Sequence, residues 1–215
     1  MAKVNWVSSS NLVRWGALGA LLAGAALMMS FMIVIADFVD SGLVPVFGFP
    51  YSDLGRTTYV VALMSILWGL VGLHARQEKR YGWLGATGFL VAYVGGTLAL
   101  VGLGLIWLFR GDVLGQEPAI TLGLSGMVAG LTLLGVGFLL LGIATLRASA
   151  LPGWCGVTLI IAFIAILVSV AFPASPGSYA VMFVLGLVWL ALGYVLWKER
   201  RRSATQAQRI TSGVG

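Results

Sequence analysis

Charge is what this sequence has least of. Among its 215 residues, 13 are Lys or Arg and 7 are Asp or Glu, so charged side chains make up 9% of the chain. A soluble domain carries roughly 25%, and so small a set cannot cover a globule of this size with polar surface. Disorder is excluded as well, because disordered chains are poor in apolar residues and 60% of this chain is hydrophobic. Cysteine is limited to Cys155, which leaves no partner for an intrachain disulfide. Histidine is limited to His74; bis-histidine haem needs two, and zinc sites gather several nitrogen or sulfur ligands. An integral membrane protein is the class that remains.

What is present are long apolar runs. About 20 apolar residues cross the hydrocarbon core as a helix. Reading between charges, the sequence predicts spans at 15–36, 57–75, 81–109 and 118–146. The uncharged run 148–197 is too long for one crossing. Pro173-Ala-Ser-Pro-Gly-Ser178 divides it into spans at 154–172 and 179–197. A barrel would alternate apolar and polar residues over about 10 positions, whereas these runs are continuously apolar. The expected fold is therefore an all-α six-helix transmembrane bundle over 1–197, with an outer cap loop at 37–56 and a basic tail at 198–215. The first run exceeds the 7–15 residues of a cleavable signal core and reads as an uncleaved span.

Orientation follows from the loop charges, since Lys and Arg collect on the cytoplasmic side. Six spans put both termini together. With them lie Lys3, Arg14, Arg76, Lys79, Arg80, Arg147, Lys198, Arg200, Arg201, Arg202 and Arg209, against Arg56 and Arg110 on the other side. Both termini are thus expected in the cytoplasm. The net charge of +6 then needs no nucleic acid as partner. The run Lys198-Glu-Arg-Arg-Arg202 reads as a topology anchor against anionic headgroups, and the tail beyond it as flexible.

A recurring pattern opens the outward-going helices: Arg14-Trp-Gly-Ala-Leu-Gly19, Tyr81-Gly-Trp-Leu-Gly-Ala-Thr87 and Pro152-Gly-Trp-Cys-Gly-Val-Thr158. Gly82, Trp83, Gly85 and Thr87 recur 71 residues on as Gly153, Trp154, Gly156 and Thr158, and Arg76 recurs as Arg147. The spacing predicts a tandem helical-hairpin repeat. Trp15, Trp83, Trp154 and Trp197 are read as interface anchors, because an indole is apolar while its N–H stays wet. The chain holds 30 glycines. Gly88, Gly95 and Gly102 are seven apart, as are Gly123, Gly130 and Gly137, and Gly126 with Gly130 makes a GxxxG pair. Seven residues are about two turns, so each trio lies on one face. In lipid, close backbone approach replaces the missing hydrophobic force, and helices 3 and 4 are expected to pack along these stripes. Frequent glycine in membrane helices is the plainer reading.

No ionisable residue falls near a midplane, which disfavours proton-coupled transport and voltage sensing. Midplane polarity is limited to Ser30, Ser65, Tyr93, Thr97, Ser125, Thr132 and Ser169, hydroxyls that more often bond a helix than line a path. His74 suits a helix C-terminus, and Cys155 reads as a packing residue. No catalytic residue, metal site or cofactor is predicted. The segment 37–56 is long for a connection and rich in aromatics. Asp37, Asp40, Phe47, Phe49, Tyr51 and Asp53 are its candidate docking residues, for lipid or partner. Its acids fit no known cation-loop spacing.

The Trp–Gly helix openings and the turn Arg147-Ala-Ser-Ala-Leu-Pro-Gly-Trp154 resemble small multi-pass membrane proteins of high-GC bacteria, a largely uncharacterised group. The resemblance covers helices 3–5 and implies a bacterial plasma membrane; it carries over no catalytic residues. The leading expectation is a structural, accessory or binding component without its own chemistry. Its partners would be membrane lipids, another membrane protein or a second copy of the chain. The rival is a passive transporter or channel for a small or apolar molecule. An intramembrane enzyme ranks last.

Overall fold

The computed structural model describes residues 9–41, 52–77, 82–108, 117–148, 151–172 and 176–212. Among them are six helices: α1 (Ser9–Ser41), α2 (Asp53–Gln77), α3 (Gly82–Leu108), α4 (Glu117–Ala148), α5 (Gly153–Ala171) and α6 (Pro176–Ser212). All six are long and apolar enough to cross a membrane. The chain is an all-α, multi-pass membrane protein.

Each helix packs against its neighbours in sequence, and α6 returns to α1, so the bundle closes into a ring. The ring is uneven. Helix α1 packs extensively on both α2 and α6, and α4 on both α3 and α5, whereas α2 meets α3 and α5 meets α6 over smaller areas. The bundle thus consists of two three-helix lobes, α6–α1–α2 and α3–α4–α5, joined along a seam. The two hairpins that share the sequence repeat differ in tightness, α4–α5 being closer than α2–α3.

Glycine sets the close contacts within each lobe. Side-chain carbons added at Gly95, Gly130 and Gly137 would overlap the backbones of Leu134, Ala99 and Ala92, and one at Gly102 would lie 2.5 Å from the Gly123 carbonyl oxygen. Gly88 faces the Leu141 nitrogen at 2.9 Å on the same measure. These residues form the α3–α4 interface. Gly126 sits at its edge, with only the Gly102 Cα near, at 3.7 Å. Three further interfaces use the same device: Gly16 on Gly72 between α1 and α2, Gly24 near Gly186 between α1 and α6, and Gly142 against Gly156 between α4 and α5.

Helices α1, α2, α4 and α6 outrun the spans read between charges, while α3 and α5 match theirs to within one residue at each end. Helix α1 continues through Asp37 and Asp40 to Ser41, and α2 begins at Asp53, so both ends of the expected 37–56 loop are helical. Charges at a helix end can stand in the headgroup zone without ending the helix, and uncharged length therefore underestimates helical length. The tail differs more. Helix α6 runs to Ser212 instead of fraying after the basic run; residues 198–212 contain good helix formers and no Pro or Gly before Gly213.

Candidate functional site

The bundle has an acidic end and a basic end. Asp37, Asp40 and Asp53 stand at one, Arg14, Arg76, Arg147 and Lys198 at the other. At the acidic end Asp37 clasps α2: its Oδ2 accepts from the Ser52 backbone N–H and hydroxyl, both at 3.1 Å. The Ser52 Oγ in turn accepts from the Gly55 N–H at 3.3 Å, capping the helix. Arg56 is buried at this end and donates to the exposed Asp53 at 3.2 Å. Two of the three acids are therefore tied into the α1–α2 corner. Asp40 is exposed. Among the described residues no three His, Cys, Asp or Glu side chains converge. Phe47, Phe49 and Tyr51 lie outside the described residues.

At the basic end Trp15, Trp83 and Trp154 are exposed and Trp197 is half-buried, each on a different helix. The repeat has a local counterpart here. Thr87 donates to the Trp83 and Leu84 carbonyls at 3.0 Å, and Thr158 to the Cys155 carbonyl at 2.9 Å, closing the first turns of α3 and α5. His74 stacks on Phe89 with centroids 4.2 Å apart, joining α2 to α3. Cys155 is fully buried in the core.

The seam between the lobes is filled differently along its length. Towards the basic end Leu70, Leu73, Leu141, Leu192 and Leu196 are all within 2% of complete burial. There the lobes also share a buried hydrogen bond, Thr145 Oγ1 donating to Gln77 Oε1 at 3.0 Å. The Gln77 Nε2 has no partner. Midway, Phe138 of α4 meets Trp189 of α6 edge-on, with centroids 5.8 Å apart. Above this pair, towards the acidic end, lies a cavity of about 30 Å³. Leu27, Tyr59, Leu131, Ile166 and Met182 contribute to its wall, so five of the six helices line it.

The cavity wall is apolar except for the Tyr59 and Ser169 hydroxyls and the Trp189 indole. The Trp189 Nε1 is buried without a hydrogen-bond partner. Its Cζ3, on the opposite edge of the ring, lies 2.7 Å from where a Gly69 side chain would begin, so the N–H faces away from α2. A space above about 10–15 Å³ with polar groups on its wall accommodates water. The geometry suits one or two waters or a comparably small neutral solute, and offers no acid–base pair for chemistry.

The other midplane hydroxyls do little at the seam. Thr97, Ser125 and Thr132 each donate to a carbonyl of their own helix at 2.8–3.0 Å and are exposed. Ser30 is fully buried and its hydroxyl is unpartnered. Ser65 lies in a second hollow, a groove of about 350 Å³ between α1 and α2 on the outside of the bundle. Trp68, Gln77, Thr145 and Trp189 were not singled out by the sequence. Nothing marks Trp68 or Trp189 within an apolar run, while Gln77 falls just past the charge-defined end of its span. Comparison with protein-family models, curated proteins and solved structures gives no match to this chain.

Proposed function

We propose that this protein is a membrane component without chemistry of its own, acting as a structural, accessory or binding partner in a bacterial plasma membrane. In this reading the basic end faces the cytoplasm with both termini. The observation that carries it is the packing of the seam. Below the Phe138–Trp189 pair the interior is filled by leucines and by the Gln77–Thr145 bond, which among the described residues leaves no wet route towards the basic end. The polar groups around the cavity and at the closed part of the seam are hydroxyls, amide and indole, which bind neutral groups but do not move protons at neutral pH. The cavity of about 30 Å³ favours a second reading, passive conduction of a very small neutral solute past Trp189.

Reconstitution separates the two. Vesicles containing the purified chain are expected to shrink under an osmotic gradient no faster than protein-free vesicles, for water and for glycerol. Mild detergent extraction is expected to retain a stoichiometric membrane protein or a second copy. A lone monomer whose vesicles conduct either solute above background would reverse the assignment.

A further inference from the structure

We propose that the groove between α1 and α2 at the basic end is a site for an anionic phospholipid, one acyl chain lying in the groove and the phosphate at Arg14. The inference needs only that the chain is embedded in lipid, and stands apart from the function proposed above. The groove is walled by Leu18, Leu22 and Met64 and framed by Trp15 and Trp68, with Gly19 in its floor. Trp15, Leu22, Met64 and Trp68 are each about half exposed, at 54–58%. It therefore opens sideways to lipid and not to the interior.

Its hollow shape has a local cause. Gly19 presents no side chain, and one added there would meet the Trp68 Cδ1 at 2.9 Å and the Gly69 nitrogen at 3.1 Å. The two helices thus touch behind the groove while their larger side chains splay in front. From Trp15 to Leu22 the groove runs two turns, about 10 Å along the axis. That is about a third of the hydrocarbon thickness, starting from the membrane surface. The wall suits flexible hydrocarbon: methionine, leucine and the indole faces adapt to a chain, and Ser65 is the one hydroxyl on the lining.

Charge selects the headgroup. The Arg14 guanidinium lies 6.0 Å from the centroid of the Trp15 ring, at the surface end of the groove, and Arg14 is exposed. A guanidinium binds phosphate through two parallel N–H donors. Contact of Gly16 with Gly72 places Arg76, in the last turn of α2, at the same end. A zwitterionic lipid offers the same chain but adds a cation beside Arg14, so an anionic lipid is preferred.

The test uses the full chain in vesicles of phosphatidylglycerol and phosphatidylcholine, one lipid or the other carrying brominated acyl chains that quench indole fluorescence on contact. The groove signal is the difference between the native protein and Trp68→Phe. Brominated phosphatidylglycerol is expected to reach half-quenching at about a fivefold lower mole fraction than brominated phosphatidylcholine, the selectivity one surface cation supplies. Arg14→Gln should remove that difference, and Arg14→Lys should keep most of it. Arg147→Gln, at the same end but on α4, should leave it intact. Equal curves in the native protein would overturn the proposal. So would selectivity that survives Arg14→Gln, or that falls equally with Arg147→Gln, which would mark general surface attraction instead of a site.

Discussion

A side chain at Gly130 would run into the backbone of Ala99, whereas one at Gly126, a turn earlier on the same helix, would find only the Gly102 Cα at 3.7 Å. Backbone cannot move aside as a flexible side-chain tip can, so the two members of the GxxxG pair carry different loads. Gly130→Ala is expected to cost about 1–3 kcal/mol, the usual penalty for overfilling a packed interface, and Gly126→Ala less than about 0.5 kcal/mol. Gly104, with nothing within 4 Å, is the control; Gly104→Ala should be neutral or stabilising by up to about 1 kcal/mol from helix propensity. Thermal unfolding in detergent measures all three, and equal shifts for Gly130 and Gly104 would refute the close-contact account. Much of this was legible at the residue scale, because a seven-residue repeat of glycine defines a face without knowledge of its partner. The pairs Gly16–Gly72, Gly24–Gly186 and Gly142–Gly156 were not, since each joins two helices whose register no single-helix periodicity reveals.

Among the elements, α2 shows where reading by charge succeeds and where it stops. Its apolar middle is plain in the sequence, but reading between charges starts it at 57, because Asp53 and Arg56 fall on the loop side of that rule. In the folded chain those charges are inside the first turns: Ser52 caps the helix, Asp53 sits where the helix dipole favours an anion, and Arg56 pairs back to Asp53. The signal Ser52-Asp-Leu-Gly55 is a usable N-cap pattern, outweighed by the rule that charge ends a span. Ser52→Ala removes both the cap and the hydroxyl held by Asp37, and is expected to cost about 1 kcal/mol. Asp37→Ala should cost a similar amount, and the double variant less than the sum, because the Asp37 carboxylate and the Ser52 hydroxyl form one clasp. Additive losses in thermal unfolding would show that the clasp does not act as a unit.

For the whole molecule, the six crossings and the segregation of charge to two ends were readable from composition and loop position alone. The two-lobe arrangement was not, since apolar runs carry no record of which neighbour they prefer. Orientation in the membrane is testable because Cys155, the chain's one cysteine, is buried. In intact cells Asp40→Cys should react with an impermeant maleimide, while Lys79→Cys and Ser203→Cys should react only after lysis; labelling of position 79 and 203 from opposite sides would break the six-span scheme. The seam yields a sharper prediction. Thr145 donates to Gln77 across the lobes, yet the Gln77 amide nitrogen is left unpaired. A buried amide that loses its last partner costs more than a hydroxyl that loses one, because a threonine on a helix can turn back to its own i−4 carbonyl. Thr145→Val should therefore destabilise by about 1–3 kcal/mol. Gln77→Met should cost less, and the Gln77→Met, Thr145→Val double variant should recover most of the Thr145→Val loss, since an apolar pair leaves no donor or acceptor stranded between the lobes. A double variant as unstable as Thr145→Val alone would mean that the contact is held by shape instead of by the hydrogen bond, and that the closed end of the seam owes nothing to this polar pair.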